Sequence, residues 1–178
     1  MRRIPGWFLF AVIAATVFLS AQLLLKCLYR SFVDDAALVS ALACVTCLPF
    51  CLYVFAFRLN KPSLPLLIPS FIIITLAAVA ALCGKATLVC CAICLAGPVN
   101  EEIVYRGCVF GNCRKSMGFV SAALLSALLF AAGHQNIPQG LAAFAMGMLF
   151  ALLFEKTNRL YVPIALHIAW NALSLILF

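Results

Sequence analysis

Residues 96–107 read AGPVNEEIVYRG and place two adjacent carboxylates, Glu101 and Glu102, within a long apolar region. The whole chain has only five acidic residues, and two of them are adjacent here. Long apolar runs on both sides predict a helix buried in a membrane. At that depth a charged residue costs about 2.5–3.5 kcal/mol on insertion scales. The pair therefore needs either ionic partners, as in a structural ion pair between helices, or a catalytic function.

The composition of the 178-residue chain is that of an integral membrane protein. Hydrophobic residues make up 67% and charged residues 10%, and the mean hydropathy is +1.18. Soluble domains are about half apolar and a quarter charged. At about 20 residues per spanning helix, this length allows about seven spans and no sizeable soluble domain. The sequence therefore predicts an all-α fold, a polytopic transmembrane helical bundle of about seven spans.

Seven apolar runs define the predicted spans. They cover residues 7–25, 36–57, 64–83, 86–112, 119–134, 139–154 and 161–178. Residues 26–35 are predicted to form a polar loop and residues 155–159 a charged turn. The first run is longer than the apolar core of a signal peptide, so we expect it to remain as an uncleaved span.

The formal charge of +7 at pH 7 comes from basic residues that stand singly or in pairs at the ends of apolar runs. Nucleic-acid binding would require a cluster, so no nucleic-acid partner is expected. The pattern indicates topology signals that face anionic lipid headgroups. If the N-terminus is cytoplasmic, eight basic loop residues lie on the cytoplasmic side and three on the other side. This excess of basic residues favours a cytoplasmic N-terminus.

The ten cysteines do not indicate a disulfide scaffold. Most lie in apolar runs, where cysteine behaves as a small hydrophobic residue. Cys44 and Cys47 have C-x-x-C spacing. Without a second pair or a solvated surrounding, neither a redox centre nor a zinc site is expected there.

Helical spacing separates the roles of the two glutamates. Glu102 and Arg106 are four residues apart and can pair on one helical face. Glu101 lies off that face, so it is the candidate general base that points into a cavity. Gly97 and Pro98, just upstream, are expected to break or kink the helix and to admit water.

The two histidines of the chain, His134 and His167, both fall in the last three apolar runs. Phe130 precedes His134 by four residues, and Asn171 follows His167 by four, so each pair shares a helical face. A single intramembrane histidine is usually a packing residue. Both histidines lie in the same half as the glutamates, which favours a common site.

The patterns Glu101-Glu102-x-x-x-Arg106, Phe130-x-x-x-His134 and His167-x-x-x-Asn171 resemble the three motifs of one protein family. This is the CAAX-protease and bacteriocin-processing family (CPBP, or Abi), intramembrane endopeptidases related to the eukaryotic CAAX prenyl protease. The resemblance covers about residues 86–178, and the first three spans carry no motif. It implies a catalytic core of about four transmembrane helices at 86–178, preceded by three N-terminal transmembrane helices at 1–85.

The resemblance also implies proteolysis of a membrane-associated peptide or protein, in a bacterial plasma membrane. Glu101 would activate water with help from His134. His167 and Asn171 would stabilise the oxyanion of the tetrahedral intermediate.

Supporting roles would fall to three further residues: Glu102, Arg106 and Phe130. No cofactor is obligatory on this interpretation, since asparagine is a poor zinc ligand and a good oxyanion donor. Zinc held by His134, His167 and Glu101 stays open as an alternative.

Other hypotheses remain at this stage. A membrane electron carrier could bind haem through His134 and His167. A non-catalytic immunity protein and a transporter with a carboxylate proton relay are further options. Straight helices with 1.5 Å rise per residue would put Glu101 near the membrane centre and His134 nearer the outer face. A single site therefore requires tilted helices or shifted boundaries.

Overall fold

The computed structural model describes residues 6–30, 43, 47, 89–134 and 136–177. Within these residues every regular element is helical and there is no strand, which confirms the all-α prediction. Apart from Ala43 and Cys47, the predicted second and third spans lie outside the described residues. The number of spans therefore stays a prediction.

Five helices account for almost all of the described chain. They are α1 (Gly6–Arg30), α2 (residues 89–113), α3 (Phe119–Ala132), α4 (Ile137–Thr157) and α5 (Tyr161–Leu177). The predicted loop was wrong at residues 26–30, which belong to α1. Lysine, leucine and arginine are good helix formers, and neither glycine nor proline interrupts this stretch.

Both ends of α4 lie outside the predicted limits. At its start the Asn136 side chain accepts the Gln139 N–H at 2.9 Å, with Pro138 in the first turn. At its end Asn158 has a left-handed conformation, φ 52°, and its N–H bonds to the Phe154 carbonyl. Asparagine tolerates that conformation and closes the helix. The predicted turn at 155–159 was thus wrong for residues 155–157, which are helical.

The helix α2 is irregular around the glutamates. Two π-helical segments, Ala92–Ala96 and Ile103–Phe110, flank the short α-helical segment Gly97–Glu102. We expected a break or a kink at Gly97 and Pro98, and the helix continues through them without a break, with a π-helical segment directly before Gly97. The wider turn before Pro98 gives the proline ring the room that a regular α-helix denies it. Such π-helical turns are rare and occur often at functional sites.

By internal contacts the chain divides into two compact units. Unit 1 comprises Met1–Leu19 and Glu101–Leu166, and unit 2 comprises Ser20–Asn100 and His167–Phe178. Unit 1 contains the α3–α4 hairpin and the C-terminal half of α2. Unit 2 contains the N-terminal half of α2 and most of α5.

Small residues bring α3 and α4 of unit 1 close together. Ala127 faces Gly147, and a Cβ added to Gly147 would lie 3.0 Å from the Ala127 Cβ. Buried residues of α2 pack on the same hairpin, where Phe110 makes edge-on contacts with Phe119 and Phe154. Without a hydrophobic driving force between helices in lipid, close packing of small residues is the usual way to hold them together.

Unit 1 has apolar side chains on its surface and polar ones inside. Large exposed apolar residues include Val120, Leu128, Ile137 and Leu141. Fully buried polar residues include Glu102, Arg106 and Ser126. Soluble proteins bury polar groups rarely and avoid extended apolar surfaces, so this distribution fits a lipid environment.

The helix α4 has the length and apolarity needed to cross a membrane. Its 21 residues reach about 31 Å, close to the thickness of the hydrocarbon core. Of the described helices it is the one that meets both criteria. Shorter apolar helical stretches occur at Thr16–Cys27, Phe119–Ala132 and Tyr161–Leu175.

Basic residues collect at the end of unit 1 where α2 and α4 finish. Arg114 donates to both carboxylate oxygens of Glu155 at 2.8–3.2 Å and to the Met117 carbonyl at 2.8 Å. The hydrogen bond with Glu155 raises the pKa of Arg114. Lys115 and Arg159 lie exposed at this end as well. Its assignment to the cytoplasm stays a prediction.

Candidate active site

The predicted pair between Glu102 and Arg106 is present and completely buried. Arg106 Nη1 donates to Glu102 Oε1 at 3.0 Å, and both side chains have no solvent exposure. A buried charge is tolerated only when it is paired and hydrogen-bonded. Glu102 is therefore a structural partner of Arg106.

Arg106 connects α2 to both helices of the hairpin. Its Nη2 donates to the Gly147 carbonyl of α4 at 3.2 Å. Its guanidinium carbon lies 4.7 Å from the Phe130 ring centroid and 5.2 Å from that of Phe150. Planar arginine is suited to such a site, because it donates in its plane and stacks on aromatic faces.

Substitution of Gly147 by alanine is expected to destabilise unit 1. The new Cβ would lie 3.0 and 3.1 Å from Ala127 Cβ and Cα and 3.3 Å from Arg106 Nη2. The helices must move apart, which stretches the arginine contacts, and such overpacking costs about 1–3 kcal/mol. Thermal unfolding in detergent measures the effect. Gly140→Ala is the matched control, since its Cβ would meet only the Ala131 carbonyl at 3.6 Å. Equal melting temperatures for the two variants would contradict the close packing.

Tyr105 lies one turn after Glu101 and joins α2 to α3. Its ring is buried and makes edge-on contacts with Phe130 at 5.3 Å and Phe18 at 6.3 Å. The Ser126 hydroxyl donates to the Tyr105 carbonyl at 2.8 Å. This bond fixes the register of the second π-helical segment against α3.

The contacts of Tyr105 also place the glutamate turn relative to the end of α3. The Tyr105 hydroxyl lies 3.7 Å from the position of a Cβ on Gly133, the residue before His134. Because α2 and α3 run antiparallel, the turn with Glu101 and the loop with His134 lie at the same end of unit 1. A single site requires this proximity, and a common depth of the two residues in the membrane stays a prediction.

His134 has a defined tautomer in the first residues of the α3–α4 loop. Its Nδ1 lies 3.1 Å from the Phe130 carbonyl. A carbonyl oxygen only accepts, so Nδ1 carries the proton and a neutral ring presents the Nε2 lone pair. The imidazole also packs edge-on against the Phe130 ring at 5.1 Å. Phe130 thus contacts both His134 and Arg106.

Glu101 differs from its neighbour in burial. It is partly exposed, whereas Glu102 is fully enclosed. This difference follows the helical geometry, since consecutive residues point to different faces. Of the two carboxylates, Glu101 is the one with exposed surface.

The remaining predicted residues belong to unit 2. His167 lies on α5 and is 5% exposed. Asn171 follows one turn later and donates through Nδ2 to the Ile93 carbonyl of α2 at 3.0 Å. The structure therefore groups Glu102, Arg106, Phe130 and His134 in unit 1 and the His167–Asn171 pair in unit 2.

The family model for type II CAAX prenyl endopeptidase Rce1-like proteins matches residues 84–173, half of the chain. The chain belongs to this Rce1-like family. The matched region contains all three motifs, and the membership confirms the resemblance seen in the sequence.

Two curated relatives extend the comparison. The chain is 35% identical over 83 residues to YdiL of Bacillus subtilis (strain 168), provisionally named a membrane peptidase. It is 34% identical over 86 residues to the membrane-embedded CAAX protease MroQ of Staphylococcus aureus (strain USA300). These matches cover 47% and 45% of this chain but only 34% and 35% of the relatives. The chain thus spans about a third of the length of the curated relatives it matches. No solved structure matches it.

Zinc is the alternative cofactor for this Rce1-like chain. Among the described residues, no three or more His, Cys, Asp or Glu side chains converge in a way that could hold a metal. A catalytic zinc needs three protein ligands. The predicted ligands Glu101 and His134 belong to unit 1 and His167 belongs to unit 2, so the zinc alternative stays a prediction and we derive no step through a metal.

The cysteines of the described residues form no disulfide bonds. They are Cys27, Cys47, Cys90, Cys91, Cys94, Cys108 and Cys113. Cys44 lies outside the described residues, so the C-x-x-C pair is not tested.

Sequence reasoning found Glu102 as a partner of Arg106 but missed the two partners on α4 in this Rce1-like site. Gly147 and Phe150 lie on α4, far from Arg106 along the chain. One signal was available, because Ala143, Gly147 and Ala151 recur every four residues, a small-residue stripe that indicates close helix packing. That pattern predicts an interface and does not identify a hydrogen-bonded arginine.

Proposed function

We propose that the chain carries the catalytic core of a membrane endopeptidase that hydrolyses a peptide bond in a membrane-associated peptide or protein. The observation that carries the proposal is that the two adjacent glutamates of α2 have different surroundings. Arg106 occupies one buried carboxylate, Glu102, while the adjacent Glu101 is accessible. Family membership favours this function over a haem carrier or a proton-relay transporter.

Glu101 acts as the general base in this mechanism. It removes a proton from a water molecule as the water oxygen forms a bond to the peptide carbonyl carbon. His134 accepts the second hydrogen of that water through Nε2 and orients it. The protonated Glu101 then gives its proton to the leaving amine as the C–N bond breaks.

Donors to the developing oxyanion complete the mechanism. His167 is assigned this task from the family motif, with its N–H directed to the carbonyl oxygen. Asn171 was predicted to share it, but one of its amide hydrogens is donated to Ile93. The oxyanion therefore depends first on His167.

Water must reach Glu101 below the membrane surface. The 14 residues of α3 reach about 21 Å, less than the hydrocarbon thickness, so the loop with His134 would lie beneath the opposite surface. Irregular backbone at that depth is tolerated where it is enclosed by protein or lines a wet cavity. The second π-helical segment of α2, Ile103–Phe110, is enclosed in this way, since all eight of its residues are buried.

The test is cleavage by the purified protein in lipid nanodiscs. Three peptide pools are compared: prenylated CAAX-type C-terminal peptides, the same peptides without the prenyl group, and plain transmembrane peptides. Mass spectrometry should find a matched pair of new termini in at least one pool. A folded, monodisperse protein that cuts none of the three would contradict the proposal.

A further inference from the structure

The first π-helical segment leaves one carbonyl of α2 without a main-chain donor. Gly97 donates its N–H to the Ala92 carbonyl, five residues earlier. The next donor in this register would be Pro98, and its acceptor would be the Ile93 carbonyl. Proline has no N–H, so the helix itself cannot supply that bond.

A side chain from α5 supplies the missing hydrogen-bond donor. Asn171 Nδ2 donates to the Ile93 carbonyl at 3.0 Å. Pro98 is fully buried, and Ile93 and Asn171 are partly buried, so water is a poor substitute for the missing donor. Buried carbonyl groups left unpaired destabilise a fold, and neighbouring side chains commonly satisfy them beside prolines in membrane helices.

We propose that Asn171 is a positioning residue whose amide replaces the N–H that Pro98 lacks. The bond fixes the π-helical turn, and this turn sets the path of the helix on which Glu101 follows Ile93 by eight residues. Asn171 then acts on the reaction through α2 and does not contact the oxyanion. The catalytic half of this inference rests on the proposed function, and the hydrogen-bonding half does not.

A double-mutant cycle tests the replacement directly. Asn171→Ala and Asn171→Asp both remove the donor and should lower the melting temperature. Pro98→Ala restores a main-chain N–H at position 98. In the Pro98→Ala background, Asn171→Ala should therefore have little effect on melting, because this restored N–H can donate to the Ile93 carbonyl. Ser174→Ala is the control for truncating a polar side chain on α5.

Activity separates positioning from direct catalysis. Positioning predicts that Asn171→Ala lowers kcat about tenfold or more, with KM little changed. It also predicts that the double variant recovers the kcat of Pro98→Ala. A direct oxyanion donor instead predicts a loss of about 10²–10³ in kcat that Pro98→Ala does not repair.

Each outcome decides a different part of the proposal. An equal loss of stability from Asn171→Ala in both backgrounds would overturn the hydrogen-bond replacement. If the double variant has the stability of Pro98→Ala but not its kcat, the positioning role is overturned and Asn171 is a direct donor to the oxyanion. The melting measurements need no substrate, so they test the replacement even if the chain proves not to be a peptidase.

Discussion

Replacement of Glu101 by glutamine is expected to abolish peptide cleavage and to leave the melting temperature of the purified protein unchanged. Glutamine keeps the size of the side chain but cannot take a proton from water. A positioned general base contributes about 10²–10⁴ in rate, and little cleavage should remain without it. Because Glu101 is partly exposed and glutamine has the same size, the substitution should disturb the packing of unit 1 much less than a change at the fully buried Glu102.

The adjacent glutamate is the matched control for this experiment. Glu102→Gln removes the counter-ion of Arg106 in a fully buried site, so it should lower the melting temperature as well as the activity. Cleavage in nanodiscs and thermal unfolding in detergent are measured on both variants. A Glu101→Gln protein that cleaves at the wild-type rate would remove Glu101 from the mechanism.

Substitution of Arg106 by methionine is expected to have the largest effect on stability. It removes the guanidinium that is the counter-ion of the buried Glu102 carboxylate and that stacks on the Phe130 ring. Removing one partner of a buried ion pair costs about 3–5 kcal/mol. Arg106→Lys should also be impaired, because an ammonium lacks the planar fork that reaches both Glu102 and Gly147.

A second substitution distinguishes the buried charge from lost packing. Replacing both Glu102 and Arg106 by methionine removes the whole ion pair, and well-packed apolar replacements of such pairs are often neutral. The double variant should melt above the Arg106→Met variant. If the double variant melts no higher than the single one, the loss comes from packing against Phe130 and Phe150.

Local spacing was sufficient to predict part of the site. The Glu102–Arg106 pair follows from the four-residue helical repeat, and so does the contact between His134 and Phe130. These pairs depend on neighbouring turns of one segment, which a sequence displays directly. The apolar runs likewise indicated α3, α4 and α5 to within a few residues.

Features that depend on distant residues were not predictable. Gly97 and Pro98 indicated a break or a kink in α2, but not the π-helical turn that keeps the helix continuous there. A donor 78 residues from Ile93 satisfies its carbonyl. Similarly, the Gly147 carbonyl that holds Arg106 lies 41 residues away. Such compensation depends on tertiary packing, which spacing rules within one helix do not contain.

Direct attack by a water molecule that Glu101 activates can be tested in one measurement. A membrane peptide is cleaved by the wild-type protein in H₂¹⁸O that contains hydroxylamine, and the masses of the products are measured by mass spectrometry. We expect ¹⁸O in the new carboxyl terminus and no hydroxamate, because no acyl-enzyme forms. A hydroxamate at the cleavage position would reveal a covalent intermediate, for example on one of the ten cysteines, and would contradict the glutamate-activated mechanism.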